Sequence, residues 1–274
     1  MLSESIDARL LATCIAVASL VGLIVYHAVC GYYYYRYYVR RRVEPDAWKV
    51  RPDRFLSPGL QRTAVLSGTR NLALGGLLTG VLAYGFLDRG WTAIYTDIGE
   101  YGWTYTLGMT VVLFLMTDCI AYWVHRAMHT RFLFRHLHRF HHRFVAPSPY
   151  TAIAVHPVEL IVLQSASFLP VFFIPFHAAS VAGVFLYILV FNIVDHSGVR
   201  LVSALPWQPP SVYHDDHHRY FHVNYGQHLT IWDRLHGTLR RQNRRYGKKI
   251  FGGRGAPGDT GVERDNEFTP FVKY

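Results

Sequence analysis

Residues 101–129 read YGWTYTLGMTVVLFLMTDCIAYWVHRAMH, and how they are read decides the fold. No charged residue lies between Glu100 and Asp118, and the apolar run ends directly before His125 and His129. A bilayer core takes about 20 predominantly apolar residues per helical pass. The stretch is therefore a membrane helix that delivers two histidines, at i and i+4 on one face, to its far end.

The rest of the 274-residue chain fits that reading. Charge-free windows also run between Arg9 and Arg36, Arg70 and Asp88, and Glu159 and Asp195. Such windows in one chain exclude an ordinary soluble protein. The first begins with Glu4, Asp7 and Arg9 and runs on into Tyr32-Tyr33-Tyr34-Tyr35. It lacks the basic start and short apolar core of a signal peptide, and interfacial tyrosines suit a retained anchor. Cys14, Cys30 and Cys119 all sit in apolar windows and read as buried thiols, not a disulfide framework.

Charge gives a topology. The loop from Arg36 to Arg70 holds nine basic residues against three acids, whereas the loop from Asp88 to Glu100 holds Arg89 alone against three acids. By the positive-inside rule the first loop is cytoplasmic and the second is not. The window from Leu160 to Val194 carries Pro170 and Pro175 near its middle, as two short passes or a re-entrant hairpin. Either form returns the chain to its starting side, so the segments 125–156 and 196–274 are cytoplasmic. The net charge of +10 then follows from membrane topology, and it also suits a docking face for anionic lipid or an acidic partner.

Sixteen histidines are present, most of them in those two segments. His125 and His129 are four apart; His138, His141 and His142 follow a three-then-one spacing; His214, His217 and His218 repeat it. On a helix each cluster can turn its imidazoles to a common point. Neutral imidazole suits iron, zinc and copper, and eight ligands exceed what one ion takes, so two ions are expected. His196, at the end of the last apolar window, is a further candidate. His156 reads as a helix start or supporting residue, and His136 and His222 are left open. His27, His177, His228 and His236 read as structural. Asp118, Glu159, Asp195, Asp215, Asp216 and Asp233 lie near the clusters and could take a ligand's second ring N–H. Solvated surface carboxylates are the plainer reading of Asp215 and Asp216, while Asp118, at a membrane helix end, needs a partner.

The runs His125-Arg126-Ala127-Met128-His129, His138-Arg139-Phe140-His141-His142 and His214-Asp215-Asp216-His217-His218 resemble the three histidine boxes of the fatty acid hydroxylase and sterol desaturase superfamily. Thr117-Asp118, Tyr122-Trp123, Pro149-Tyr150, His156-Pro157 and Asn224-Tyr225-Gly226 extend the likeness, which covers about 103–238. Asp97-Ile98-Gly99-Glu100-Tyr101, and Tyr225-Gly226-Gln227 with Thr230-Ile231-Trp232-Asp233-Arg234, look most like its sterol C5-desaturase branch. His236 departs from that branch, and the part before Arg70 matches it loosely.

The resemblance implies an all-α, multi-pass membrane helix bundle with a cytoplasmic, histidine-rich di-metal cap. Residues 1–102 would form an anchor region of two spans and a basic loop, 103–240 the histidine-box domain, and 241–274 a flexible basic tail. It implies two iron ions (zinc in a purified protein) held by His125, His129, His138, His141, His142, His196, His214, His217 and His218. It further implies O2, electrons from NAD(P)H through cytochrome b5 and its reductase or an equivalent donor, and a Δ7-sterol substrate. The membrane would be the endoplasmic reticulum in a eukaryote and the cytoplasmic membrane in a bacterium. A fatty-acyl or sphingoid hydroxylase and a sterol C4-methyl oxidase share the boxes. A metal transporter or sensor would place its ligands near mid-membrane, whereas these clusters lie outside the apolar windows. No nucleic-acid partner is implied.

Overall fold

The computed structural model describes residues 6–201, 205 and 207–240; the predicted tail, 241–274, lies outside them. Among the described residues nine α-helices follow in order: α1 Ala8–Tyr33, α2 Pro58–Tyr84, α3 Gly102–Met128, α4 Arg131–Leu133, α5 Arg139–His142, α6 Pro157–Phe168, α7 Ala178–Asp195, α8 Val212–Tyr220 and α9 Ile231–His236. No strand occurs among the described residues, only two isolated bridges. Four stretches are long and apolar enough to cross a membrane: Ala8–Val39, Pro58–Arg89, Gly102–Met128 and Ala178–Asp195.

Local chemistry sets where these helices start. Asp7 caps α1 by accepting from the amides of Arg9 and Leu10, both at 3.0 Å. Ser57 caps α2, with Pro58 in the first turn, where its missing N–H costs nothing. His156 and His177 cap α6 and α7 through Nδ1, at 3.2 Å from the amides of Val158 and Ala179. His156 is thus a helix start, as one of its sequence readings had it.

α1 and α2 pack through small residues. A Cβ on Gly76 would lie 2.3 Å from Ser19 Oγ, and one on Gly80 would lie 2.3 Å from the Ile15 Cα. Only glycine allows that approach of two apolar helices.

The helix pair α6–α7 answers the question left by Pro170 and Pro175. Its turn reaches the connection between α2 and α3, where the Ala93 amide donates to Val171 O at 2.9 Å and the Tyr95 amide to Phe176 O at 3.1 Å. The pair therefore runs the depth of the bundle, with α7 long and apolar enough to cross a membrane and α6 shorter. At the opposite end the basic loop after α1 meets the segment after α7. Lys49 bridges Val199 antiparallel, the Arg200 amide donates to Trp48 O at 2.6 Å, and Tyr38 OH donates to Ser197 O at 2.7 Å. The basic loop and the histidine clusters thus share one end of the bundle, the relation that the charge pattern predicts.

Candidate metal centre

α3 carries His125 inward in its last turn, and His129 follows at its C-terminal cap. The chain reverses at Thr130 and passes through a π-helical turn, Phe134–His138, which ends on His138, into α5, which presents His141 and His142. α7 ends on Asp195 with His196 as its cap. α8 brings in His214, His217 and His218. All nine side chains are buried.

They converge as two groups. His125, His129, His138, His142 and His217 form one, and His141, His196, His214 and His218 the other, with ligating atoms in each within 4.8 Å of one another. The spacing argument, in which each cluster serves one point, needs refining here. The i,i+4 pairs 125/129, 138/142 and 214/218 stay together, while His141 and His217 cross to the group built mainly by the other box.

The hydrogen bonds behind the rings fix which nitrogen faces inward. A carbonyl only accepts, so an Nδ1 against one must carry the proton. This holds for His125 on Tyr225 O (2.8 Å), His196 on Asn192 O (2.7 Å), His217 on Val223 O (2.7 Å) and His141 on Ala154 O (3.3 Å). His138 Nδ1 instead meets Glu159 Oε1 at 2.6 Å. The Nε2 atoms left over face one another: 3.1 Å for His138–His142 and for His142–His217, 3.2 Å for His141–His196, and 2.8 Å for His196–His214.

Bare lone pairs at that separation repel unless a proton or a cation lies between them. Burial opposes the proton. It holds His129, His141, His142, His214, His217 and His218 well below the ordinary imidazole range, and pushes His196 down to about 4. Nitrogens bound at about 2.0–2.2 Å to a shared ion sit roughly 3 Å apart, which is the spacing found. His129 Nε2 and both ring nitrogens of His218 are also buried without any hydrogen-bond partner. The donor set fits transition-metal ions.

Of the carboxylates singled out in the sequence, Glu159 supports a ring nitrogen directly. The others hold the scaffold. Asp118 accepts from the His228 amide (3.0 Å) and Trp232 Nε1 (2.8 Å), which supplies the partner its position demanded. Asp233 accepts from the amides of Tyr225 and Gly226 at 2.9 and 2.7 Å. Asp195 faces Gln208 Nε2 at 3.3 Å. Asp215 and Asp216 are not solvated surface groups. Asp215 is buried against Arg51 Nη2 of the basic loop at 2.9 Å, and Asp216 pairs with Arg240 at 3.2 Å. His136 Nδ1 bonds Phe132 O in an exposed turn, and neither it nor His222 joins a group.

Two cavities adjoin the centre. A small one of about 40 Å3 is bordered by histidines of both groups, among them His125 and His196, and by Glu159. A larger one of about 490 Å3 lies between α1, α2, α6 and α7, with Thr117, Asp118 and Ala121 of α3 and the 227–228 loop at one side. Leu163, Asn192 and Gln227 line both. Val21 and Leu186, on the rim of the larger one, are exposed on the apolar exterior. α1 and α2 thus contribute to this lining alongside α3, α6 and α7. His228, read from the sequence as structural, is also among the residues of the large cavity.

Residues 110–238, which carry all nine histidines, match the fatty acid hydroxylase family. The chain is 35% identical over 165 residues to "Lathosterol oxidase" of Rattus norvegicus, covering 58% of this chain and 55% of that protein. It is 30% identical over 164 residues to "Lathosterol oxidase" of Homo sapiens, with the same shares. It is 32% identical over 157 residues to "Delta(7)-sterol 5(6)-desaturase erg3B" of Aspergillus fumigatus, covering 57% of this chain and 47% of that protein. The chain thus spans about half the length of these curated relatives. No solved structure matches it significantly. The matched segment carries both histidine groups within the helix bundle.

Proposed function

We propose that this chain is a membrane di-iron oxidase that introduces a C5 double bond into a Δ7-sterol. The observation that carries the reading is the convergence of nine buried histidines into two adjacent groups above an apolar cavity open to the bilayer side. The sterol assignment is supported by the relatives, whose printed names are those of lathosterol and Δ7-sterol enzymes.

In this reading His125, His129, His138, His142 and His217 hold one iron, and His141, His196, His214 and His218 the other. Iron bound there supplies the capacity to reduce O2 to two waters while two hydrogens leave adjacent carbons, with two electrons and two protons from an NAD(P)H-linked donor such as cytochrome b5 and its reductase. The protein's own part is positional. Glu159 fixes the ring of His138, and backbone carbonyls fix four more, so the inward nitrogens need no reorganisation. The 40 Å3 cavity beside both groups is sized for a small molecule such as O2. The larger cavity excludes water and presents a lipid from below. The centre lies on the cytoplasmic face, the same end as the basic loop, where a soluble or peripheral donor can reach it.

The test is expression with cytochrome b5 and its reductase in membranes fed lathosterol, with products read by mass spectrometry. A sterol gaining a C5 double bond is expected. Conversion of a fatty acid or ceramide with the sterol untouched overturns the substrate and leaves the metal chemistry standing.

A further inference from the structure

The large cavity is apolar apart from a few side chains, and nearly all of those are already engaged. Asn71 Nδ2 donates to Ile153 O and Val155 O at 2.9 and 2.8 Å, which leaves its Oδ1 as a single buried acceptor without a partner. Gln164 Nε2 donates to Gly75 O and Thr79 Oγ1, both at 2.9 Å. Thr117 Oγ1 donates to Leu113 O, and Asp118 receives two donors from the 228–232 segment.

His228 differs. It is 1% exposed, yet both Nδ1 and Nε2 lack a partner. Its backbone amide is pinned to Asp118, and its ring stands between Phe114 of α3 and Tyr187 of α7, at centroid distances of 6.2 and 5.4 Å. A buried imidazole with two idle polar atoms is costly unless something arrives to use them. Burial keeps the ring neutral, so it offers one donor and one acceptor. A hydroxyl is the matching group, since it too gives one and takes one. The neighbouring Gln227 lines both the large cavity and the small one under the histidines. Gln227 therefore carries polar lining from a mostly apolar chamber to the metal end.

We propose that His228 and Gln227 hold the hydroxyl of the lipid substrate beside the metal centre. The pair selects lipids whose hydroxyl lies a few bonds from the oxidised carbon. A 3-hydroxysterol attacked at C5 meets that requirement, because the hydroxyl-bearing carbon is two ring positions away. An acyl chain attacked far from its headgroup does not. This assignment rests on the sterol reading above and adds to it the residues that set substrate orientation.

The experiment compares lathosterol with its 3-deoxy analogue in wild type and in His228→Phe, His228→Gln and Gln227→Leu, with iron content measured on each purified protein. Wild type is expected to favour the hydroxylated sterol in kcat/KM by at least about tenfold. His228→Phe is expected to keep its iron and lose most of that preference, mainly through KM for lathosterol. His228→Gln restores a donor and an acceptor and retains a substantial part of it. Gln227→Leu erodes the preference without touching the His228 ring, which covers the case of a poorly folding Phe variant. A wild type that converts both sterols equally, or a His228→Phe that keeps iron and discriminates like wild type, overturns this assignment and leaves the desaturase reading intact. A wild type that converts neither sterol overturns both.

Discussion

The Glu159 carboxylate receives the Nδ1 proton of His138 at 2.6 Å, with both side chains buried. This contact joins α6 to the turn carrying the second histidine box, and it directs the other nitrogen of His138 toward His142. Glu159→Leu removes the acceptor and frees the ring to rotate. Loss of such a supporting partner typically costs about 10–100-fold in metal affinity. A chelator titration of the iron-loaded protein is expected to show a weakening of that order, with Glu159→Gln in between because its amide oxygen still accepts. Unchanged retention in the Leu variant contradicts the role.

The division into two groups makes a stoichiometric prediction. His214→Ala removes one of the four histidines of the second group and none of the first. Elemental analysis is expected to show about one ion lost per chain and one kept. His138→Ala, in the first group, abolishes turnover. His27→Ala retains it, because that ring packs against Thr69, Tyr26 and Tyr150 and belongs to neither group. Equal activity of the His138 and His27 variants in membranes refutes the site.

At the seam between α1 and α2, backbone meets backbone. A side chain at Gly80 would intrude on the Ile15 Cα, which has no rotamer with which to yield. Gly80→Val is expected to lower the melting temperature in detergent, by an overpacking cost of about 1–3 kcal/mol or more. Gly108→Ala, facing open space, should be neutral or mildly stabilising.

His228 also predicts an acid response. Burial pushes it down to about 3, against an unfolded value near 6.5. Between those values the unfolded chain binds a proton that the folded chain refuses. Stability is therefore full above about pH 6.5 and declines as pH falls toward 3. From pH 7 to pH 5 this one ring removes about 2 kcal/mol. His228→Phe is expected to unfold with a shallower acid dependence in melts taken from pH 7 to 5, and an unchanged slope counts against a buried neutral ring.

Much of this was legible in the sequence, for stated physical reasons. Charge-free windows mark helices because lipid cannot solvate charge. Asp118 announced a partner because a membrane helix end cannot leave a carboxylate alone. The histidine boxes showed themselves through helical spacing. What spacing cannot say is which ring serves which group: His141 and His142 are neighbours in sequence, and a turn of about 100° per residue sends them to different groups. Nor could it show that Asp215 is buried, since its partner Arg51 lies 164 residues away. His228 looked ordinary because nothing local distinguishes a lone histidine with idle nitrogens from one with satisfied ones.

α1 buries only Cys14, Tyr26 and Cys30, yet Ala18, Val21, Gly22 and Val25 on the same helix wall the large cavity. One side of the chamber is therefore a single helix backed by acyl chains, and lateral pressure from the bilayer becomes a structural component of the site. Soap-like amphiphiles lack that pressure. The volume offered to a rigid ring system then depends on the surrounding membrane's thickness and order, so kinetic constants measured in nanodiscs of differing composition describe different chambers.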